Sequence, residues 1–277
     1  MDFATIADVY RETGVPTLSI IPFGIVLLVV LPVAVLIGHR AGNLRRRQTI
    51  ASGEEIDLVA GQTSLGGILT LLGLLLAFSF GNALNIAQTR KITAIEEAAA
   101  LSTVFDRADY LPEAGRAELK AAILKYAKTR VIPTEGGLDN TEKVLNFLDT
   151  SLQAQAKLWP LVLNATADPL PPPIKIFVAG AMNDALDAHL FRMQAFSVPV
   201  ASISQATLIA AALAALFMLG NRSGLVGRAL TWRVLVFAGF LFVVMMLIVD
   251  LHRGAEGLIR FDQTALLAVI FEMEASL

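Results

Sequence analysis

The residues able to do chemistry in this chain are few and badly spaced for it. His39, His189 and His252 are the only histidines among 277 residues, and none stands four positions from another, the spacing that would put two metal ligands on one helical face. The best metal-like segment is Asn183-Asp184-Ala185-Leu186-Asp187-Ala188-His189. On a helix Asp184 and Asp187 share a face while His189 points away from it, so a solvated helix surface is the expectation. Glu96 and Glu97 form a carboxylate pair of the kind used in acid–base catalysis. Arg90 and Lys91 lie one or two turns earlier, and a structural charge network accounts for all four. Asp250 and Arg253, three apart at a span end, suit a local ion pair at the membrane edge. Zero cysteines exclude thiolate nucleophiles and Cys-ligated metals, and there is no phosphate loop and no GxSxG. The expectation is no enzyme activity, no metal and no cofactor.

One segment differs in kind. From Leu58 to Thr89 the chain carries no charge. Within it Gly66, Thr70, Gly73, Ala77 and Gly81 recur at three- or four-residue steps, a small-residue stripe that lets another backbone approach where lipid offers no hydrophobic drive for association. Ser79, Asn82, Asn85 or Gln88, and Thr89 add a hydroxyl and amide row toward the far end. Such groups in hydrocarbon either bond across helices or line a wet path. Phe78 and Phe80, just before the row, are candidates for a constriction that gates by dewetting, and equally for packing.

These residues must be carried by membrane helices. The composition is 55% hydrophobic and 17% charged, too apolar for a solvated globular domain. Four spans emerge at about Thr17–Gly38, Ser64–Ala87, Ser197–Gly220 and Trp232–Val249, each near the roughly 20 residues needed to cross a 30 Å core. They pair into two hairpins around one polar segment, Arg90 to Arg192, which holds 12 Lys/Arg and 13 Asp/Glu. Apolar residues there recur at helical intervals, predicting amphipathic helices through Tyr110, from Glu113 to Pro133, from Asn140 or Thr141 toward Trp159, and from Ile174 into the third span. Pro199 predicts a kink at that entry. Ala265–Glu274 reads as a short amphipathic helix able to dock on this lobe. The expected fold is an all-α membrane protein of four transmembrane helices in two hairpins flanking an extramembrane helical lobe. Its divisions are an N-terminal hairpin at 1–89, the lobe at 90–196, a C-terminal hairpin at 197–249 and a tail at 250–277.

The connectors His39–Thr63 and Asn221–Arg233 hold seven arginines against Arg11, Arg253 and Arg260 in the tails, so the connectors are expected to be cytoplasmic. Both termini and the lobe would then be extracytoplasmic. A net charge of -2 with no basic stripe argues against nucleic acid.

The stretch Leu72 to Arg130 resembles the bestrophin-like domain family of bacterial membrane proteins, through Leu75-Leu76-Ala77-Phe78, Asn82, Arg90, Glu97-Ala98, Leu101, Leu111-Pro112, Arg116, Leu119 and Tyr126. Asp250 to Arg260 is similar to that family's ending, with His252-Arg253-Gly254 in place of an Asp-Arg-Pro. The resemblance implies a remote likeness to the pentameric bestrophin anion channels, whose pore helix is matched by Ala77-Phe78, Asn82, Ala83 and Arg90-Lys91. It implies a homo-oligomeric ion channel with the second span lining the pore: Phe78 and Phe80 as neck, Ser79, Asn82 and Asn85 as uncharged lining, and hence weak ion selectivity. The alternative is a non-conducting, membrane-anchored sensor or interaction module whose lobe binds a partner protein or ligand.

Overall fold

The computed structural model describes residues 19–53, 58–133, 138, 141–167, 169–197, 202–253 and 262–277. Among the described residues the chain is helical throughout, with no strand. The helices are α1 (Ile20–Ser52), α2 (Leu58–Arg107), α3 (Glu113–Thr129), α4 (Thr141–Gln155), α5 (Leu158–Ala165), α6 (Pro172–Ser197), α7 (Ser202–Val226), α8 (Trp232–Arg253) and α9 (Thr264–Ala275), with a 3-10 turn at Ala108–Tyr110. Four of them, α1, α2, α7 and α8, are long and apolar enough to cross a membrane. At about 1.5 Å per residue the 50 residues of α2 extend to about 75 Å, more than twice the hydrocarbon thickness, so its charged half runs outside. It ends where Pro112 disfavours helix in Leu111, whose backbone is extended at φ -88°, ψ 155°.

The described residues divide into two compact units, one drawn from residues 18–85 and 200–253, the other from residues 86–199 and 254–277. In the first, α1 and α7 run parallel in close backbone contact. A Cβ at Gly38 would collide with the Phe217 carbonyl and one at Gly42 with that of Asn221, while Gly220 and Gly224 stand against the carbonyls of Val35 and His39. Two Gly-xxx-Gly pairs thus interlock face to face, the arrangement that replaces hydrophobic drive in lipid. Helix α8 runs antiparallel to α1, bringing Met246 onto Gly24 and the Arg253 guanidinium over the Phe23 ring at 5.7 Å. Gly227, at φ +73°, ends α7 in the left-handed conformation, its N–H donating to the Gly224 carbonyl at 3.0 Å.

The second unit has its own core. Leu101, Val104 and Phe105 of α2 meet Leu119, Ile123 and Tyr126 of α3, with Leu158, Val162, Val178 and Met182 from α5 and α6. Leu266, Ile270 and Met273 of α9 belong to the same cluster. The Gln263 side chain brackets Ile132, accepting from its N–H at 2.6 Å and donating to its carbonyl at 3.0 Å. Asp262 accepts from the Thr264 N–H and pairs with Lys91 at 3.0 Å; hydrogen bonds from Thr264 and then the Lys91 contact hold its carboxyl down at about 2.

The expected single helix toward Trp159 is two, α4 and α5, broken at Ala156–Lys157. Pro160 has no N–H to continue the ladder and is accommodated in the first turn of α5. The first span overshoots its sequence limit, so Arg45, Arg46 and Arg47 are helical. Pro199 and most of the Asp250–Arg260 ending lie outside the described residues.

Candidate functional site

The apolar half of α2 is the least covered of the four candidate spans. Only 11% of its most apolar window is buried, against 44% for α8. Leu65, Leu72, Ala83 and Arg90 mark the one buried line along it. At 100° per residue the stripe Gly66, Thr70, Gly73, Ala77 and Gly81 lies about 130° around from that line, and all five are exposed. A Cβ at Gly66, Gly73 or Gly81 would meet nothing within 4 Å. Thr70 satisfies its hydroxyl on the Gly66 carbonyl at 2.9 Å, leaving the stripe smooth.

The polar row divides by helix geometry. Phe78, Asn82 and Asn85 share one exposed sector, about 100° from the small-residue stripe, with Phe78 69% exposed. Ser79 and Phe80 are half-buried and point elsewhere. Residues two apart on a helix diverge by 200°, so Phe78 and Phe80 cannot form one neck in the same subunit. The expected lining set therefore contracts to Phe78, Asn82 and Asn85.

A second constellation, not expected from the sequence, lies in the second unit. Glu97 of α2 is fully buried together with Arg130 just past α3 and Arg192 of α6. Arg130 Nε donates to Glu97 Oε1 at 2.8 Å, and Arg192 Nη1 donates to Oε2. Arg192 Nη2 also reaches the Arg130 carbonyl at 3.2 Å. The Arg130 guanidinium stands 5.8 Å over the Phe147 ring, and Ser151 donates to the Thr129 carbonyl, tying α4 to the same place. Tyr126 Oη donates to Glu97 Oε1 at 3.0 Å and lies 2.6 Å from His189 Nδ1. A phenol has one proton, so if it goes to the carboxylate, Nδ1 of His189 must carry its own and donate to Tyr126. Burial, then the Glu97 charge, raises the Tyr126 hydroxyl well above its usual value, which keeps it a donor. Burial also lowers His189, which stays neutral.

This cluster corrects the charge network expected around Glu97. Arg90 Nε instead donates to the Ala195 carbonyl and Lys91 pairs with Asp262. Arg90 and Glu97 share a face but lie about 10 Å apart along the axis, and Lys91 points away from Glu97. The sequence signal was present as charged residues continuing apolar stripes: Ala94, Glu97, Leu101, Val104 on α2; Leu119, Ile123, Tyr126, Arg130 from α3; Met182, Ala185, His189, Arg192 on α6. Asp184 and Asp187 are exposed while His189 is buried, and no group of metal-ligating side chains occurs among the described residues. Asp250 is buried near the end of α8, three residues before Arg253. The chain matches no protein-family model, no curated protein and no solved structure. What fold and site define together, among the described residues, is a helical protein with four helices long and apolar enough to cross a membrane and a buried ionic cluster.

Proposed function

We propose that this chain is the subunit of a homo-oligomeric, bestrophin-like channel in a bacterial inner membrane, with α2 lining the pore. The carrying observation is the uncovered face of α2. A membrane helix with Asn82 on its exposed side needs cover or water there, and among the described residues nothing covers the glycine stripe beside it. The two sectors lie about 100° apart, which suits a ring: one turns toward the axis while the other meets a neighbouring copy. Phe78 is the narrowing and Asn82 and Asn85 the lining. No charge falls in that sector, so selectivity between ions is weak. In this reading the connectors of the N-terminal hairpin (1–89) and C-terminal hairpin (197–249) are cytoplasmic, which their seven arginines support, and the lobe (90–196), the tail and both termini are on the opposite side.

Planar-bilayer recording of purified protein is the test. Single-channel currents whose amplitude rises in Phe78→Ala support the reading, and silence or unchanged current refutes it. Disulfide crosslinking of Gly73→Cys or Ala77→Cys should give intersubunit adducts forming a closed ladder.

A second reading is a non-conducting module that binds a protein partner through its lobe. It is favoured by the outer face of α9, where Leu267 and Phe271 are exposed, Phe271 at 72%. A monomer or dimer by mass in detergent, without current, would select it.

A further inference from the structure

The arginine-rich end of the first unit has no role in the channel reading. The Gly38–Gly42 and Gly220–Gly224 interlock holds α1 and α7 parallel and in fixed register, so the uncharged stretches of both helices end level, at His39-Arg40 on α1 and Asn221-Arg222 on α7. Beyond that level the two connectors carry Arg40, Arg45, Arg46, Arg47, Arg222, Arg228 and Arg233, against the three carboxylates Glu54, Glu55 and Asp57, which lie outside the described residues. No ion pair joins any of the seven arginines to a carboxylate among the described residues; Arg222 donates instead to the neutral Gln62 at 3.0 Å.

Two of these arginines stand at the cap of α7, Arg46 through its side chain and Arg228 as the residue that follows the cap. The guanidinium of Arg46 lies against Gly227, where any Cβ would fall on it, so the missing side chain of the αL cap is the space that seats Arg46. Arg228 follows at once, its N–H held by the Ser223 carbonyl at 3.1 Å, and is exposed. Trp232 stands exposed four residues later at the start of α8, where an indole marks the bilayer interface. A guanidinium seated on the α7 cap, with an exposed arginine as the next residue and neither paired to a carboxylate among the described residues, matches one ligand chemistry: a phosphate oxyanion, which a guanidinium fork binds in bidentate fashion.

We infer that the turn Gly227–Trp232 together with Arg46 is a binding site for the phosphodiester headgroup of anionic phospholipid. The source is a lipid rather than free phosphate because the site sits where apolar helix meets charge, so acyl chains lie along α1 and α7 while the headgroup meets the arginines.

The test uses the full-length chain in neutral detergent with Trp159→Phe, which leaves Trp232 as the single indole. Brominated phosphatidylglycerol should quench Trp232 with at least fivefold higher affinity than brominated phosphatidylcholine. Arg46→Gln with Arg228→Gln should bring that ratio near one, while Arg46→Lys with Arg228→Lys keeps half of the preference or more. Helical circular dichroism of each variant checks that it is folded. Equal quenching by the two lipids, or a preference that survives in the Gln pair, overturns the inference. So does loss of the preference in the Lys pair equal to that in the Gln pair. Displacement of the phosphatidylglycerol preference by equimolar inorganic phosphate would assign a free-anion site instead and overturn the lipid source.

Discussion

Replacing Glu97 by Gln removes one negative charge and almost no volume, and leaves Arg130 and Arg192 buried with each other. Both guanidiniums are within 1% of complete burial. At an effective dielectric constant of about 20, each loses roughly 4 kcal/mol of attraction at 4 Å, an upper bound of about 8 kcal/mol for the two. Buried pairs broken from one side lose about 3–5 kcal/mol in practice, because local relaxation recovers part. Taking about 4 kcal/mol, and about 2–4 °C per kcal/mol for a chain of this size, the melting midpoint should fall by about 8–16 °C. Tyr126 can still donate to the Gln carbonyl oxygen, so the loss reports charge rather than a missing hydrogen bond. The assay is loss of circular dichroism at 222 nm on heating in one fixed detergent. A double-mutant cycle with Arg192→Met sharpens it: once Arg192 is gone, Glu97→Gln should cost about half as much, a coupling of about 1–3 kcal/mol. A drop below about 2 °C, or strict additivity in the cycle, would refute the claim that Glu97 neutralises two buried cations.

His189 should make stability depend on pH. Its folded value lies below the usual 6.5 because burial disfavours the charged ring, so below pH 6.5 the unfolded chain binds more protons and stability falls as pH falls, by at most about 1.4 kcal/mol per unit. Thermal midpoints between pH 7.5 and 5.5 should show this slope and His189→Gln should flatten it; an unchanged slope would assign it elsewhere. Gly220→Val should cost about 1–3 kcal/mol or more by driving a side chain into the Val35 carbonyl, while Gly73→Ala should leave the melting midpoint of a detergent-isolated monomer nearly unchanged. Melting curves of the two variants side by side decide it. Gln263→Ala removes both bonds to Ile132 and should cost about 1–3 kcal/mol, with hydrogen exchange at the Ile132 amide accelerated.

The residues chosen from the stripe pattern on α2 came out where a helix of that register puts them, because a period of 3.6 fixes which side chains share a face. The same geometry corrected the pairing of Phe78 with Phe80. The glycines that pack inside the chain are a different set. Gly38, Gly42, Gly220 and Gly224 lie about 180 residues apart in sequence, and nothing local says which distant backbone each one meets.

Composition and run length by themselves determined that four helices can cross a membrane, since the absence of charge over some twenty residues leaves lipid as the only compatible solvent. Proline and capping positions determined the principal helix breaks, because a missing N–H is a local fact. Tertiary structure alone decided that Glu97, Tyr126, Arg130, His189 and Arg192 converge, and that Arg46 seats on Gly227. Those meetings depend on how three helices pack in the second unit and how two cross in the first. A buried charge is tolerable only where its partner arrives from another element, and a sequence records the charge without recording the arrival.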